Sequence, residues 1–230
     1  MKKEEIRNLF AHFSEENGLA IRLSFAMPEG YETANGMFDV AENTLFLNGE
    51  LLDTVPDYET VFFLFHELRH AVQYLFPERF SEMVRESLPY VILYDGTCFR
   101  LQNGDWETCK LDGSEEYFTR AYENLPYERD ANDFAKEEMG KRFPDKTKEI
   151  EALYGMFVPG EPFSEAEYRE LFARIDEETK ENAEENSRLG GSGGDFDDRF
   201  PGKRRIPTFA FFAVHGSLRD HWLRYFEKSF

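Results

Sequence analysis

Cysteine is scarce in this sequence, and so are long apolar runs. The 230 residues contain only two cysteines, Cys98 and Cys109, which is too few for a small disulfide-stapled secreted domain. No stretch reaches the ~18 apolar residues of a transmembrane helix, and no apolar run follows Met1. We therefore expect a cytoplasmic protein with no signal peptide, no membrane partner and reduced thiols.

Basic residues are also few, and the acidic excess limits the choice of partners. Lys and Arg number 27 against 46 Asp and Glu, for a formal net charge of -19. From Arg199 onward basic residues predominate, so the first 198 residues are more acidic still. A nucleic-acid backbone would be repelled by that part, and nucleic acid is not expected as a partner. Walker and Rossmann glycine patterns and internal repeats are missing as well.

Length and apolar content predict a folded domain with a sizeable core. Hydrophobic residues make up 41% of the chain, and 24 of its residues are phenylalanine. We expect one domain over residues 1–186, with a hairpin insertion near residues 90–111. A flexible Gly-rich and basic linker is predicted over 187–205. Residues 206–230 are too apolar to remain in water, so they should dock on the domain, either completing its core or covering its cleft as a lid.

His66, Glu67 and His70 are the most informative residues of the chain. In the sequence His-Glu-Leu-Arg-His the two imidazoles lie four residues apart, on one face of a helix, and can bind one metal ion. The carboxylate of Glu67 can take a proton from a water molecule that the metal activates. Asp57 is the expected N-cap of this helix, and Pro77 ends it after about 19 largely apolar residues.

Glu128 is the predicted third metal ligand. It lies in the first turn of a second helix, which begins at Pro126. Ala131 and Ala135 would let this helix approach another closely, as a carboxylate–metal distance of ~2 Å requires. Asp130 is a competing third ligand, and its alternative roles are support of a ligand or simple solvation.

The two patterns together resemble a known family. His-Glu-x-x-His followed by Glu-x-x-Ala-Asn-x-Phe-Ala is similar to the ImmA/IrrE-type zinc metallopeptidases, relatives of the gluzincins. The resemblance implies that His66, His70 and Glu128 bind Zn2+ and that Glu67 is the general base. It also implies an α+β, zincin-like fold, in which a small sheet packs on the active-site helix and a ligand helix crosses it. The implied function is hydrolysis of a peptide bond in a cytoplasmic protein or peptide.

Other functions remain open at this stage. The same fold can serve as a binding or regulatory module without catalysis, or as a toxin-like effector protease. A residue that stabilises the oxyanion is expected among Tyr127, His215 and His221.

Strand patterns surround the predicted helix. Ala20–Phe25 alternates, and Gly36–Asn48 reads as two strands joined by a turn at Glu42 and Asn43. Residues Thr44–Asn48 could pair with an extended substrate if they formed a sheet edge. Thr97–Leu111 predicts a hairpin around Asn103-Gly104, with Cys98 opposite Cys109.

Overall fold

The computed structural model describes residues 3–50, 52, 54–158, 160–188 and 209–212. These residues form seven α-helices and seven strands, which makes the protein a mixed α+β fold as predicted. The helices are α1 (Lys3–Asn17), α2 (Asp57–Leu75), α3 (Glu82–Ser87), α4 (Glu115–Glu123), α5 (Pro126–Arg142), α6 (Thr147–Phe157) and α7 (Glu165–Arg188). The strands are β1 (Arg22–Ser24), β2 (Ala34–Asp39), β3 (Thr44–Leu47), β4 (Tyr90–Ile92), β5 (Thr97–Gln102), β6 (Asp105–Lys110) and β7 (Phe209–Phe212).

The described residues belong to two compact units. Unit 1 consists of the chain up to Phe80, residues Asp130–Phe157 and strand β7. Unit 2 consists of Ser81–Arg129 and of the chain from Val158 through α7. Helix α5 is unbroken across the boundary, which falls between its fourth and fifth residues.

Unit 1 is built on helix α2. Its four-stranded sheet has the order β1-β3-β2-β7, with β1 parallel to β3 and the other neighbours antiparallel. Strands β2 and β3 lie against α2, and their residues are all buried. Aromatic rings hold helices to α2: Phe13 meets Phe65 at 5.6 Å, and Phe157 stacks on Phe62 at 5.2 Å between ring centroids. The sheet and the helices therefore leave α2 in an apolar environment.

Strand β3 is not available to a substrate. It is hydrogen-bonded by β1 on one side and by β2 on the other. The prediction that Thr44–Asn48 offers an edge to an extended peptide is therefore wrong. Pairing of β1 with β3, which lies 22 residues further along the chain, carries no local sequence signal and moves β3 to the interior of the sheet.

Unit 2 contains the predicted hairpin. Strands β4, β5 and β6 form an antiparallel sheet, and the β5–β6 register pairs Cys98 with Cys109, as predicted. Asn103 and Gly104 both have positive φ, which the tight turn requires. The thiols of both cysteines are free and buried. Helix α7 packs on β5 and β6.

The starts of α7 and α2 are capped differently. Ser164 and Glu167 form a capping box at the start of α7: the backbone N–H of Ser164 donates to Glu167 Oε2, and that of Glu167 to Ser164 Oγ. The predicted Asp57 cap of α2 is wrong, because Asp57 is the first helical residue and Pro56 holds the cap position without a side-chain bond. None of the helices in the described ranges combines the length and apolar character needed to cross a bilayer.

Candidate metal centre

Helix α2 carries His66, Glu67 and His70 through the interior of unit 1. His66 is 1% exposed, and Glu67 and His70 are completely buried. The helix can be buried on nearly all sides because its sequence is apolar around the motif, with aromatic or aliphatic residues from Val61 to Phe65. Burial of a polar side chain is costly unless the side chain finds partners, so three polar residues in one buried helix indicate a site with a specific purpose.

The two imidazoles converge as the i, i+4 spacing predicts. The Nε2 atoms of His66 and His70 lie 2.9 Å apart, and the ring planes are nearly perpendicular. Two ligand atoms of one tetrahedral metal, each ~2.1 Å from it, would lie about 3.4 Å apart. A small side-chain adjustment therefore suffices for both nitrogens to bind the same ion.

Glu128 completes the group. One ligand atom from each of His66, His70 and Glu128 can be chosen so that all three lie within 4.8 Å of one another. Glu128 is in the first turn of α5, and the rest of that helix from Asp130 onward belongs to unit 1. The continuous helix therefore carries Glu128 with it. The predicted first-turn carboxylate is thus brought together with both histidines, and the three residues could hold a metal ion.

An ion pair and aromatic contacts join α5 to its neighbours. Ala131 and Ala135 of α5 are completely buried, and Arg69 of α2 donates to Asp130 of α5. On the same helix Phe134 contacts Phe65 of α2 at 6.2 Å and Phe13 of α1 at 5.7 Å between ring centroids. These contacts hold the part of α5 from Asp130 onward against α1 and α2, and Glu128 lies two residues before Asp130 on the same helix.

A chain of hydrogen bonds decides the tautomer of His70. Asp130 is a carboxylate and can only accept, so Gln73 Nε2 donates to its Oδ2 at 2.8 Å. The other end of that amide, Gln73 Oε1, must then be an acceptor, and it lies 2.8 Å from His70 Nδ1. His70 therefore carries its proton on Nδ1, which leaves the Nε2 lone pair directed at the metal position.

Arg69 holds Asp130 in this arrangement. Its Nε and Nη2 donate to Oδ2 and Oδ1 of Asp130 at 2.7 and 3.0 Å, a bidentate pair. The guanidinium also lies 4.5 Å from the ring centroid of Phe80 and 4.8 Å from that of Phe134. Asp130 is thus engaged with Arg69 and Gln73, and the metal-competent group contains Glu128 in the third position.

Glu67 is confined by strand β2. A Cβ atom placed on Gly36 would meet Glu67 Cγ at 2.8 Å and Oε1 at 3.2 Å. No real Cβ atom tolerates the shorter of these distances, so glycine is needed for the β2 backbone to pass the carboxylate. The side chain of Glu67 therefore lies between its own helix and the strand.

Three residues were predicted as candidates for stabilising an oxyanion, and the structure describes one of them. Tyr127 is buried, and its hydroxyl donates to the backbone oxygen of Tyr90 at 3.2 Å. This bond uses the proton that an oxyanion would need from Tyr127. His215 and His221 lie outside the described residues.

Two residues of the site were missed at the level of sequence. Gln73 lies three residues after His70 on the same helix face, a spacing at which side chains meet, so its contact could have been anticipated. Gly36 begins one of the predicted strands, and a glycine within a strand often marks close approach of another group. Which group approaches is decided only by the packing of β2 on α2.

The donor set fits a divalent transition metal better than calcium or magnesium. Two imidazole nitrogens and one carboxylate are typical ligands of zinc, whereas calcium and magnesium prefer oxygen alone. Three protein ligands also leave a fourth position for water or substrate, as in catalytic rather than structural zinc sites.

Comparisons of the chain with protein-family models, with curated proteins and with solved structures give no match. The resemblance to ImmA/IrrE-type peptidases therefore depends on the motif residues alone and stays a prediction.

Proposed function

We propose that this protein is a zinc-dependent metallopeptidase with a zincin-like fold that hydrolyses a peptide bond in a cytoplasmic protein or peptide. The observation that carries the proposal is the grouping of His66, His70 and Glu128, with Glu67 adjacent in sequence to the first of them on a buried helix. Two histidines and two glutamates in this order make up the minimal machinery of metal-assisted amide hydrolysis.

Each residue has a distinct role in this proposal. His66, His70 and Glu128 would hold the ion, and Glu128 contributes a negative charge that offsets part of the metal's two positive charges. When bound, zinc would polarise the scissile carbonyl and acidify a water molecule. Glu67 would serve as the base that takes a proton from this water and as the acid that passes it to the leaving amine.

The surrounding residues prepare these groups before substrate arrives. Gln73 keeps the proton of the neutral His70 ring on Nδ1, so that the Nε2 lone pair faces the metal position. The backbone at Gly36 limits the rotation of Glu67. A base and ligands that are already oriented avoid the cost of ordering them in the transition state.

Elemental analysis and a hydrolysis assay test the proposal together. The purified protein should contain one zinc per chain, and His66→Ala or Glu128→Ala should lower this sharply. Glu67→Gln keeps the shape of the side chain and removes the base, so zinc should stay while cleavage of a proteome-derived peptide library falls at least ~10²-fold. Glu59→Gln, the same substitution earlier on α2, is the matched control and should cleave like the parent.

Two outcomes would contradict the proposal. Turnover by Glu67→Gln equal to that of the parent would exclude the base assigned here. Full zinc occupancy with no cleavage by the parent, and no effect of Glu67→Gln on any measured property, would favour the alternative of a non-catalytic binding module.

A further inference from the structure

Strand β7 pairs with β2, the strand whose backbone passes close to the side chain of Glu67. Its backbone pairs antiparallel with β2, and the register places Phe211 opposite Gly36 and Ala210 opposite Met37. Gly36 is the residue whose Cα faces the Glu67 side chain. An extended segment of the chain's own C-terminal region is therefore paired with the strand that borders the proposed base.

Without β7, the outer edge of β2 would be open. The sheet order is β1-β3-β2-β7, so β7 is the only described strand on that side of β2. Strand β7 also lies against α2, the helix that carries Glu67. An open strand edge presents N–H and C=O groups that bind an extended peptide through its backbone. This edge runs alongside the proposed catalytic helix.

A bulge adds a side-chain donor to this edge. The β2–β7 register moves from Ala34 to Gly36 while β7 advances by one residue, so Asn35 is the extra residue. Its side-chain Nδ2 is buried and has no hydrogen-bond acceptor among the residues that the structure describes. Asn35 is 4% exposed, so water does not compensate fully for the missing bond. Bulges often re-aim a side chain beside an active site, and a peptide carbonyl would satisfy this donor.

Charge and tethering both favour occupation of the edge by the C-terminal region. Residues 199–230 contain seven basic and two acidic residues and are therefore positively charged, whereas the chain as a whole has a net charge of -19. A segment of the same chain as its binding site also has an effective concentration far above that of a dilute free substrate. A substrate in free solution must compete with it.

We infer that the outer edge of β2 is the peptide-binding edge of the site and that Phe209–Phe212 holds it as an intramolecular analogue of the substrate. The inference rests on the proposed peptidase function. The substrate class follows from the occupant: an extended, uncharged segment rich in phenylalanine, as Phe-Ala-Phe-Phe is at Phe209–Phe212. Strand β7 restrains the enzyme until a peptide of this class displaces it.

The first test weakens β7 in the full-length chain. Neighbouring strand residues direct their N–H groups to opposite sides, so Ala210→Pro with Phe211→Pro removes whichever N–H faces β2. The matched control, Gly193→Pro with Gly194→Pro, places two prolines outside β7. All proteins also carry Glu67→Gln so that the probe stays intact. The probe is a fluorescent peptide with the sequence of residues 207–213, and binding is followed by anisotropy.

The expected result is at least ~10-fold tighter binding of the probe to the β7 proline variant than to the parent or the control, because the competing segment is released. Equal affinity within twofold, in a variant that keeps its zinc and its circular dichroism spectrum, would overturn the inference.

A second variant decides the matter if the prolines unfold the protein. Met37 and Ala210 are register partners, and directly opposite strand residues lie within disulfide range. Met37→Cys with Ala210→Cys should lock β7 in place when oxidised, abolishing probe binding, and reduction should restore it. Identical probe binding in the oxidised and reduced protein would contradict the inference.

The same proteins with Glu67 restored separate this inference from the proposed function. If the proline variant binds the probe more tightly and does not cleave it, the binding edge is supported and the peptidase proposal fails. If all of the proteins cleave the probe with equal affinity and rate, the peptidase proposal survives and β7 does not occupy its substrate edge.

Discussion

Removal of the Asp130 carboxylate should weaken metal binding even though Asp130 is not a ligand. In Asp130→Ala the amide of Gln73 loses the acceptor that fixes its orientation. The amide can then turn over and donate to His70 Nδ1, which transfers the imidazole proton to Nε2, the atom that must bind the metal. The altered tautomer population opposes binding without any change in the ligand set.

The size of the effect can be worked out from the contacts. Loss of a hydrogen bond that orients a metal-binding histidine lowers affinity 10- to 100-fold, or about 1.4–2.7 kcal/mol. The ion pair of Asp130 with Arg69 is also lost, and its side chains are 25% and 27% exposed. Such a partly exposed pair contributes no more than about 1 kcal/mol to the folding of the metal-free protein.

Arg69→Met is the matched control, because it removes the same ion pair and leaves Asp130 to accept from Gln73. It also loses the contacts of the guanidinium with Phe80 and Phe134, so the metal-free protein should be destabilised at least as much as Asp130→Ala. Its zinc affinity should nevertheless fall less than threefold.

Competition with a chromophoric chelator measures the zinc affinity, urea unfolding of the metal-free proteins measures stability, and nitrogen NMR of the His70 ring reports the tautomer. Gln73→Leu should reproduce the affinity loss of Asp130→Ala. Equal losses of zinc affinity in Asp130→Ala and Arg69→Met would refute the reasoning, since the ion pair alone would then explain both.

Two further substitutions test separate features of the fold. Gly36→Ala should displace Glu67 and lower turnover about 10- to 100-fold with zinc retained, because the new Cβ would lie 2.8 Å from Glu67 Cγ. Gly140→Ala on α5, where a Cβ meets nothing within 4 Å, is the control, and equal turnover in both would contradict this account of Gly36. Burial raises the pKa of Glu123, the last residue of α4, from 4.5 to about 7. Because folding favours the protonated form of this side chain, the protein loses stability as the pH rises from 4.5 through 7. At pH 8 Glu123→Gln should be more stable than the parent by about 1–2 kcal/mol, after allowance for solvent screening, and below pH 4.5 the two should be equally stable. Urea unfolding at both pH values measures the difference. A stability difference that does not depend on pH would contradict the prediction.

Much of the local structure could be predicted from the sequence, because the deciding interactions connect residues that are close along the chain. The i, i+4 spacing brings the Nε2 atoms of His66 and His70 together. The Asn103-Gly104 turn sets the register of its hairpin. The capping box of α7 likewise depends on residues three positions apart. In each case backbone geometry leaves few alternatives, so the prediction needs no knowledge of the tertiary fold.

Tertiary packing decided the rest of the site. Glu128 and the two histidines meet through tertiary packing, which joins residues about sixty positions apart along the chain. The same packing brings Asp130 to Gln73 and Gly36 to Glu67, and it turns β3 into an interior strand. Contacts of this kind depend on how separate elements fill a common core, which local spacing does not encode. The sequence alone thus determined the groups that can do the chemistry, and the tertiary structure determined their supports and the strand edge beside them, because side-chain packing between distant segments selects one arrangement among many.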